Sequence, residues 1–257
     1  MKLWRRLTFA KEHMVPIHYH ELLQGFLYNS MKPELARLIH NKGIQYKQRT
    51  FRFVTFSRLI GEYHLSKDKR WIQFPTSCTL VVSSPLHEVL RSVMTRLLKN
   101  PIINIGFNKV AIDSIKAEIL PQAGSSMRVR TLSPVVAYNT MTRLNGRKFT
   151  LYRSPDETEF SRLVYKNLQK KVAAFALWKG SELPHILEEF HIHATKFRLH
   201  VLKYQDIVIK GYSGTFMITG DSRLLTMGLE AGLGSKNSQG FGCVEAIGPS
   251  MASRRRA

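Results

Sequence analysis

The sequence predicts an α+β fold of two tandem units, each an antiparallel sheet with helices packed on one face. Three observations predict it. Residues 1–122 run in the order strand, helix, strands, helix, strands; residues 127–250 repeat that plan; and Pro121–Ser126 (PQAGSS) between them has the composition of a linker. The order is that of the split βαβ, or ferredoxin-like (RRM-like), arrangement, which leaves the second face of each sheet open to ligand. A chain of 257 residues suffices for two domains of ordinary size. The expected division is an N-terminal domain over 1–122 and a C-terminal domain over 127–250. The duplication is one of element order, since no residue-level repeat links the halves.

Each element has its own signal. Met1 to Phe9 alternates as a strand, with Leu3, Arg5 and Leu7 on one side. From His20 to Ile39, Leu23, Phe26, Leu27, Met31, Leu35 and Leu38 recur at helical spacing. Pro33 splits that stretch into two helices and Gly43 stops the second. Phe51–Ser57 (FRFVTFS) and Trp71–Val82 are rich in aromatic and β-branched residues and read as strands. Pro85–Lys99 returns to helical spacing, and Ile102–Leu120 holds two strands parted near Gly106–Lys109.

In the second half, Met127–Asn139 and Arg147–Tyr152 read as strands. Pro155–Trp178 reads as a helix with Phe160, Leu163, Val164, Leu168, Val172 and Phe175 on one side. His191–Tyr204 and Ile207–Thr219 form a hairpin around Gln205-Asp206. Asp221 caps a short helix through Gly228, and Cys243–Ile247 is the last strand.

Charge narrows the function. The formal net charge is +21, with 39 basic against 18 acidic residues, so a polyanion is the expected partner. Apolar residues make up 44% and charged residues 22%, ordinary globular values that exclude a disordered chain. No apolar run is long enough to span a bilayer and the first residues lack the apolar core of a signal peptide, so no membrane partner and a cytoplasmic location are expected. Cys78 and Cys243 stand far apart, which argues against a disulfide framework. The basic tail SRRRA reads as a frayed, solvated end.

The strongest motif is Gly228–Gly242 (GLEAGLGSKNSQGFG), where five glycines punctuate a connection from helix to strand. Glycine permits positive φ and close approach of backbone amides to a phosphate, at Gly234 and Gly240 in particular. Lys236, Asn237 and Ser238 add a charge and hydrogen-bonding groups. The Walker pattern GxxxxGK[ST] is absent, and a tight structural turn is the alternative reading.

The segment GLGSKNSQGFGCV resembles the glycine-rich signature of CRISPR-associated repeat-RNA-processing endoribonucleases of the RAMP (repeat-associated mysterious protein) superfamily. Two further blocks resemble the same family in the same order: LLQGFLYNSMKPELARLIHNKG followed by FRFVTFSRL, and TLSPVVAY at Thr131–Tyr138. The resemblance implies two ferredoxin-like domains, a basic surface for CRISPR repeat RNA, and metal-independent cleavage. In that reaction the ribose 2′-hydroxyl attacks the adjacent phosphate, leaving a 2′,3′-cyclic phosphate and a 5′-hydroxyl. It implies no cofactor.

Site residues follow from the matching blocks. His40 stands where the family places its catalytic histidine; taken alone, it would read as a cap on a helix C-terminus. Tyr28 matches the tyrosine that accompanies it. The family's charge-stabilising lysine falls at Lys42 or Lys47, with Lys47 favoured. Arg49 and Arg52 join them in a stretch without acidic residues that suits RNA-backbone binding. His18 with His20, and His191 with His193, are spaced like zinc ligands but lack further ligands nearby, so no metal site is expected. The leading function is cleavage of precursor CRISPR RNA. The alternative is a non-catalytic guide-RNA-binding RAMP subunit partnered by other subunits of a CRISPR interference complex. A general RRM-like binder fits less well, since no RNP1 motif is present.

Overall fold

The computed structural model describes residues 3–10 and 13–248. Met1 and the basic tail lie outside them. The first half contains β1 (Leu3–Ala10), β2 (His13–Pro16), α1 (His20–Asn29), α2 (Pro33–Arg37), a π-helical turn (Leu38–Lys42), β3 (Ile44–Tyr46), β4 (Arg49–Phe51), β5 (Thr55–Phe56), β6 (His64–Leu65), β7 (Trp71–Phe74), β8 (Cys78–Ser83), α3 (His87–Lys99), β9 (Ile102–Ile105) and β10 (Asn108–Ile119). The second contains β11 (Ser126–Thr131), β12 (Tyr138–Thr142), β13 (Lys148–Tyr152), α4 (Thr158–Trp178), β14 (His191–Tyr204), β15 (Ile207–Thr219), α5 (Ser222–Ala231), a 3-10 turn (Asn237–Gln239) and β16 (Val244–Ala246).

The two main sheets share one permutation. In the order β5-β8-β1-β10-β9, the first strand lies between the strand before the second crossover and the strand after it; β14-β15-β11-β16 repeats this. The ladders of both sheets are antiparallel. Two ferredoxin-like units therefore stand in tandem, as their element order requires. Strand β9 extends the first sheet as a hairpin with β10.

Local chemistry accounts for the boundaries. Pro33 occupies the first turn of α2, where its missing N–H costs nothing. Gly43, at φ +59°, ends the π-helical turn, and its amide donates to the Leu38 carbonyl at 2.8 Å. A Cβ there would stand 2.5 Å from Thr50 Cγ2 on the returning β3–β4 hairpin. Asp221 caps α5 by accepting from the Arg223 amide at 2.9 Å.

Three expected strands are shorter than the sequence implied. FRFVTFS breaks at Phe53, whose φ of +51° turns the chain, so that β4 ends at Phe51 and β5 holds only Thr55–Phe56. The stretch 71–82 is cut near Pro75, which has no amide for a ladder; β7 joins a small sheet with β2 and β6, and β8 joins the main one. Met127–Asn139 breaks after Thr131: Val135 and Val136 make only isolated bridges to Tyr212 and Gly234, and Tyr138 and Asn139 open β12.

The open second face is also not found at β8. Leu80, Val81 and Val82 are each at most 1% exposed, and since successive side chains point to opposite faces, both faces of the strand are covered. The other half supplies part of the cover, because Ser83 donates from Oγ to the Leu229 carbonyl at 3.2 Å. Thr55 similarly reaches the Phe241 carbonyl at 3.1 Å, and Ser133 reaches the Phe56 carbonyl at 3.0 Å. One continuous apolar core includes Leu7, Phe9 and Leu80 from the first half and Val129, Phe160 and Phe216 from the second.

Candidate active site and RNA-binding cleft

The break between α1 and α2 brings His40 to Tyr28. Twelve residues of straight helix would part them by about 18 Å. The chain instead turns at Ser30–Lys32 and folds back, placing the ring centroids 4.9 Å apart at 84°. His40 is exposed on the π-helical turn, which is tied down when Arg52 Nε donates to the His40 carbonyl at 3.1 Å. His40 Nδ1 lies 2.8 Å from Asn41 Oδ1, and the tautomer in which Nδ1 carries the hydrogen and donates to that oxygen has its lone pair on Nε2.

The Tyr28 hydroxyl is buried and has no hydrogen-bond partner among the described residues. Burial pushes its pKa up to about 12, an effect opposed by the Arg52 guanidinium. Ser238 also faces the hydroxyl and opposes the rise, without completing a hydrogen bond of regular geometry. The glycine-rich loop thus lies against Tyr28, whose ring in turn abuts His40.

The loop is held to α1 by a second contact. Gln24 Nε2 donates to the Ser238 carbonyl at 2.6 Å, and the Tyr204 hydroxyl donates to Gln24 Oε1. Gly234 has φ +66°, and a Cβ there would stand 2.4 Å from the Val136 carbonyl oxygen. Gly240 has φ +86° and packs so closely on Phe56 and His20 that a Cβ would fall within 2.7 Å of both. Asn237 spends its amide inside the loop: Nδ2 donates to the Leu233 and Phe241 carbonyls at 3.0 Å each.

Arg49, Arg52, Lys236, Asn237 and Ser238 line one cleft of about 210 Å³. Gly234 and Arg49 line a smaller neighbouring one. Lys236 Nζ sits 5.7 Å from the Tyr138 ring centroid, and desolvation lowers its pKa. Lys42 and Lys47 line neither cleft; Lys42 closes the π-helical turn, and Lys47 stands exposed at the tip of the β3–β4 hairpin with Nζ over Tyr46. A third cleft, of about 600 Å³, is lined by Arg58, Arg130, His18 and His200 with Tyr19 and Tyr63. Among the described residues no group of three His, Cys, Asp or Glu side chains could hold a metal ion, and no helix is long and apolar enough to cross a membrane.

Sequence reasoning missed Gln24, Tyr204 and, above all, Lys171, whose side chain is 3% exposed and bonded to the glycine-rich loop. A signal existed. Lys171 interrupts the apolar stripe of α4 three residues after Leu168 and four before Phe175.

Comparison with known proteins agrees with this architecture. Residues 118–246 match the family described as CRISPR associated protein Cas6, C-terminal, and residues 14–116 match CRISPR-associated protein Cas6, N-terminal. The CRISPR-associated endoribonuclease Cas6 1 of Methanocaldococcus jannaschii is 28% identical over 235 residues, covering 90% of this chain and 87% of its own. The CRISPR-associated endoribonuclease Cas6 of Pyrococcus furiosus is 28% identical over 248 residues, covering 91% and 84%. Among solved structures, that of a Cas6-related gene product from Pyrococcus furiosus superposes with a TM-score of 0.81 at 21% identity over 96% of this chain and 99% of its own. One described as an RAMP protein binding different RNA substrates gives 0.78 at 21% identity over 96% and 100%. With one matched region spanning half of the chain and another filling most of the remainder, the chain belongs to the CRISPR-associated Cas6 family.

Proposed function

We propose that this protein is an endoribonuclease that cleaves precursor CRISPR RNA within its repeats, with His40 as the catalytic residue and no metal in the reaction. The relatives named as CRISPR-associated endoribonucleases support the activity. The observation that carries the assignment is the exposed imidazole of His40, held 4.9 Å from Tyr28 beside the glycine-rich loop and a basic cleft. In this reading residues 1–122 supply the catalytic group and residues 127–250 the loop.

His40 Nε2 takes the proton of the ribose 2′-hydroxyl as that oxygen attacks the adjacent phosphorus. The bond from phosphorus to the 5′-oxygen breaks and that oxygen takes up a proton from water, while His40 returns to solvent the proton it received. The products carry a 2′,3′-cyclic phosphate and a 5′-hydroxyl. Charge on the phosphorane is met by Arg52, by Lys47 or Lys42, and, once RNA binding uncovers it, by the Tyr28 hydroxyl as donor. Arg52 uses only Nε within the protein contact described, so its other N–H groups are available to phosphate.

His40→Ala is expected to lower the single-turnover rate by roughly 100- to 10,000-fold while RNA affinity changes little, because phosphate binding comes from Lys and Arg. Wild-type protein should cleave in EDTA, and a 2′-deoxy substitution just before the scissile bond should block it. Cleavage that survives that substitution, or that requires a divalent ion, overturns the route. Wild-type protein that binds repeat RNA without cutting it favours the non-catalytic guide-RNA-binding subunit instead.

A further inference from the structure

Lys171 is buried on α4, where an ammonium needs partners to offset its lost hydration. Its Nζ donates to the Gly232 carbonyl at 2.6 Å, the Gly234 carbonyl at 3.1 Å and Asn237 Oδ1 at 2.7 Å. Those three bonds use the full donor capacity of an ammonium. All three acceptors belong to the glycine-rich loop, and none is a carboxylate. Burial works against the charge, lowering the pKa to about 7.

Asn237, gripped through Oδ1, donates Nδ2 to Leu233 and Phe241 on the two sides of the loop. Gly232 and Gly242 make room for it, since a Cβ at either would stand 2.6 Å from Nδ2. The next residue is Ser238, whose carbonyl accepts from Gln24 and which faces the Tyr28 hydroxyl. Gln24 and Tyr28 share α1, and Tyr28 abuts His40. A continuous chain of contacts therefore runs from α4 through the loop to the catalytic pair.

We infer that Lys171 is a positioning residue for RNA cleavage: it ties Gly232, Gly234 and Asn237 into one loop shape and thereby sets Ser238 against the Tyr28–His40 pair. The inference rests on the endoribonuclease reading above. Its loop-shaping part is separable from that reading by measurement.

Lys171→Met removes all three donations with little change of volume. Amide hydrogen exchange over residues 232–242 should speed up by about tenfold or more while β1, β8 and β10 keep their protection. The single-turnover cleavage rate at saturating protein should fall about 10- to 100-fold, as expected when reacting groups lose their alignment. The RNA Kd should stay within about threefold, so that the loss lies in the saturated rate. A lysine that only supports packing would lower the melting temperature and the folded fraction, leaving the saturated rate of folded molecules unchanged. Should Lys171→Met not fold, Lys171→Gln, which keeps a polar end but has too few donors for all three acceptors, must give the same split. Wild-type loop protection or a wild-type saturated rate in a folded variant overturns the inference. If wild-type protein itself leaves repeat RNA uncut, the endoribonuclease reading and the cleavage role fall together; the exchange measurement then decides whether Lys171 shapes the loop.

Discussion

Tyr28 holds its proton throughout the neutral range, because burial pushes its hydroxyl to about pKa 12. It is a hydrogen-bond donor, one that RNA reaches only when the groups covering it move aside, and it cannot serve as a base near neutrality. Tyr28→Phe should therefore lower cleavage about tenfold, the worth of one hydrogen bond to a charged group, and less than His40→Ala does. The pH profile between 6 and 9 should keep its shape; a displaced limb would mean that the phenol titrates in the reaction. A second buried group governs acid stability. His20 is stacked between Tyr19 and Phe241, with Nε2 lacking a partner among the described residues, and burial lowers its pKa to about 4. Its usual value is 6.5, so between 6.5 and 4 the unfolded chain takes up the proton first. The neutral form costs nothing above that window, and stability falls as pH drops through it. His200 has the same shift and adds to the slope. His20→Phe keeps the stack and removes the titration, so melting temperature against pH should flatten between 6.5 and 4; an unchanged slope would place the acid sensitivity elsewhere.

At the scale of elements, the glycine-rich loop offers a test in which backbone conformation and space can be separated. Gly234 and Gly146 both have positive φ, but a Cβ on Gly146 meets nothing within 4 Å, whereas on Gly234 it meets the Val136 carbonyl oxygen at 2.4 Å. Valine at either site pays for the left-handed backbone; only at Gly234 does it also displace a neighbouring chain. Urea melts should show Gly234→Val costing more than Gly146→Val by at least about 2 kcal/mol, and equal costs would mean that the loop yields easily. The elements that could be read from sequence are those with local signals. Pro33 marked the break that lets Tyr28 meet His40, Gly43 marked the stop, and the hairpin turns at Gln205-Asp206 as expected. Strands β2, β6 and β7 hold two to four residues each, too few to display a period. Nothing in the sequence announces the left-handed Phe53 or the π-helical turn, which depend on tertiary packing. Lys171 escaped because a basic residue in a helix ordinarily points to water, and only the three loop acceptors make its burial tolerable.

Across the whole molecule, the shared core and the buried bonds from Thr55, Ser83 and Ser133 join the two halves, so the basic clefts between their elements have a defined shape. The net charge of +21 is then displayed on a surface whose geometry can be matched to a phosphate chain. Each phosphate neutralised on a single strand releases condensed counterions, and log affinity against log salt should fall by about 0.7 for each such contact. The charge alone does not say which residues make the contacts; their position does. Arg49 lines two of the clefts beside the glycine-rich loop, whereas Arg91, exposed on α3, lines none of the three described above. Arg49→Ala and Arg91→Ala lower the net charge equally. If RNA occupies the clefts, Arg49→Ala should make the salt slope shallower by about 0.7 and weaken binding at every salt concentration below the crossing point. Arg91→Ala should leave the slope as in wild type. Equal effects from the two substitutions would mean that binding follows the diffuse charge of the surface, and that the clefts are not where the RNA backbone lies.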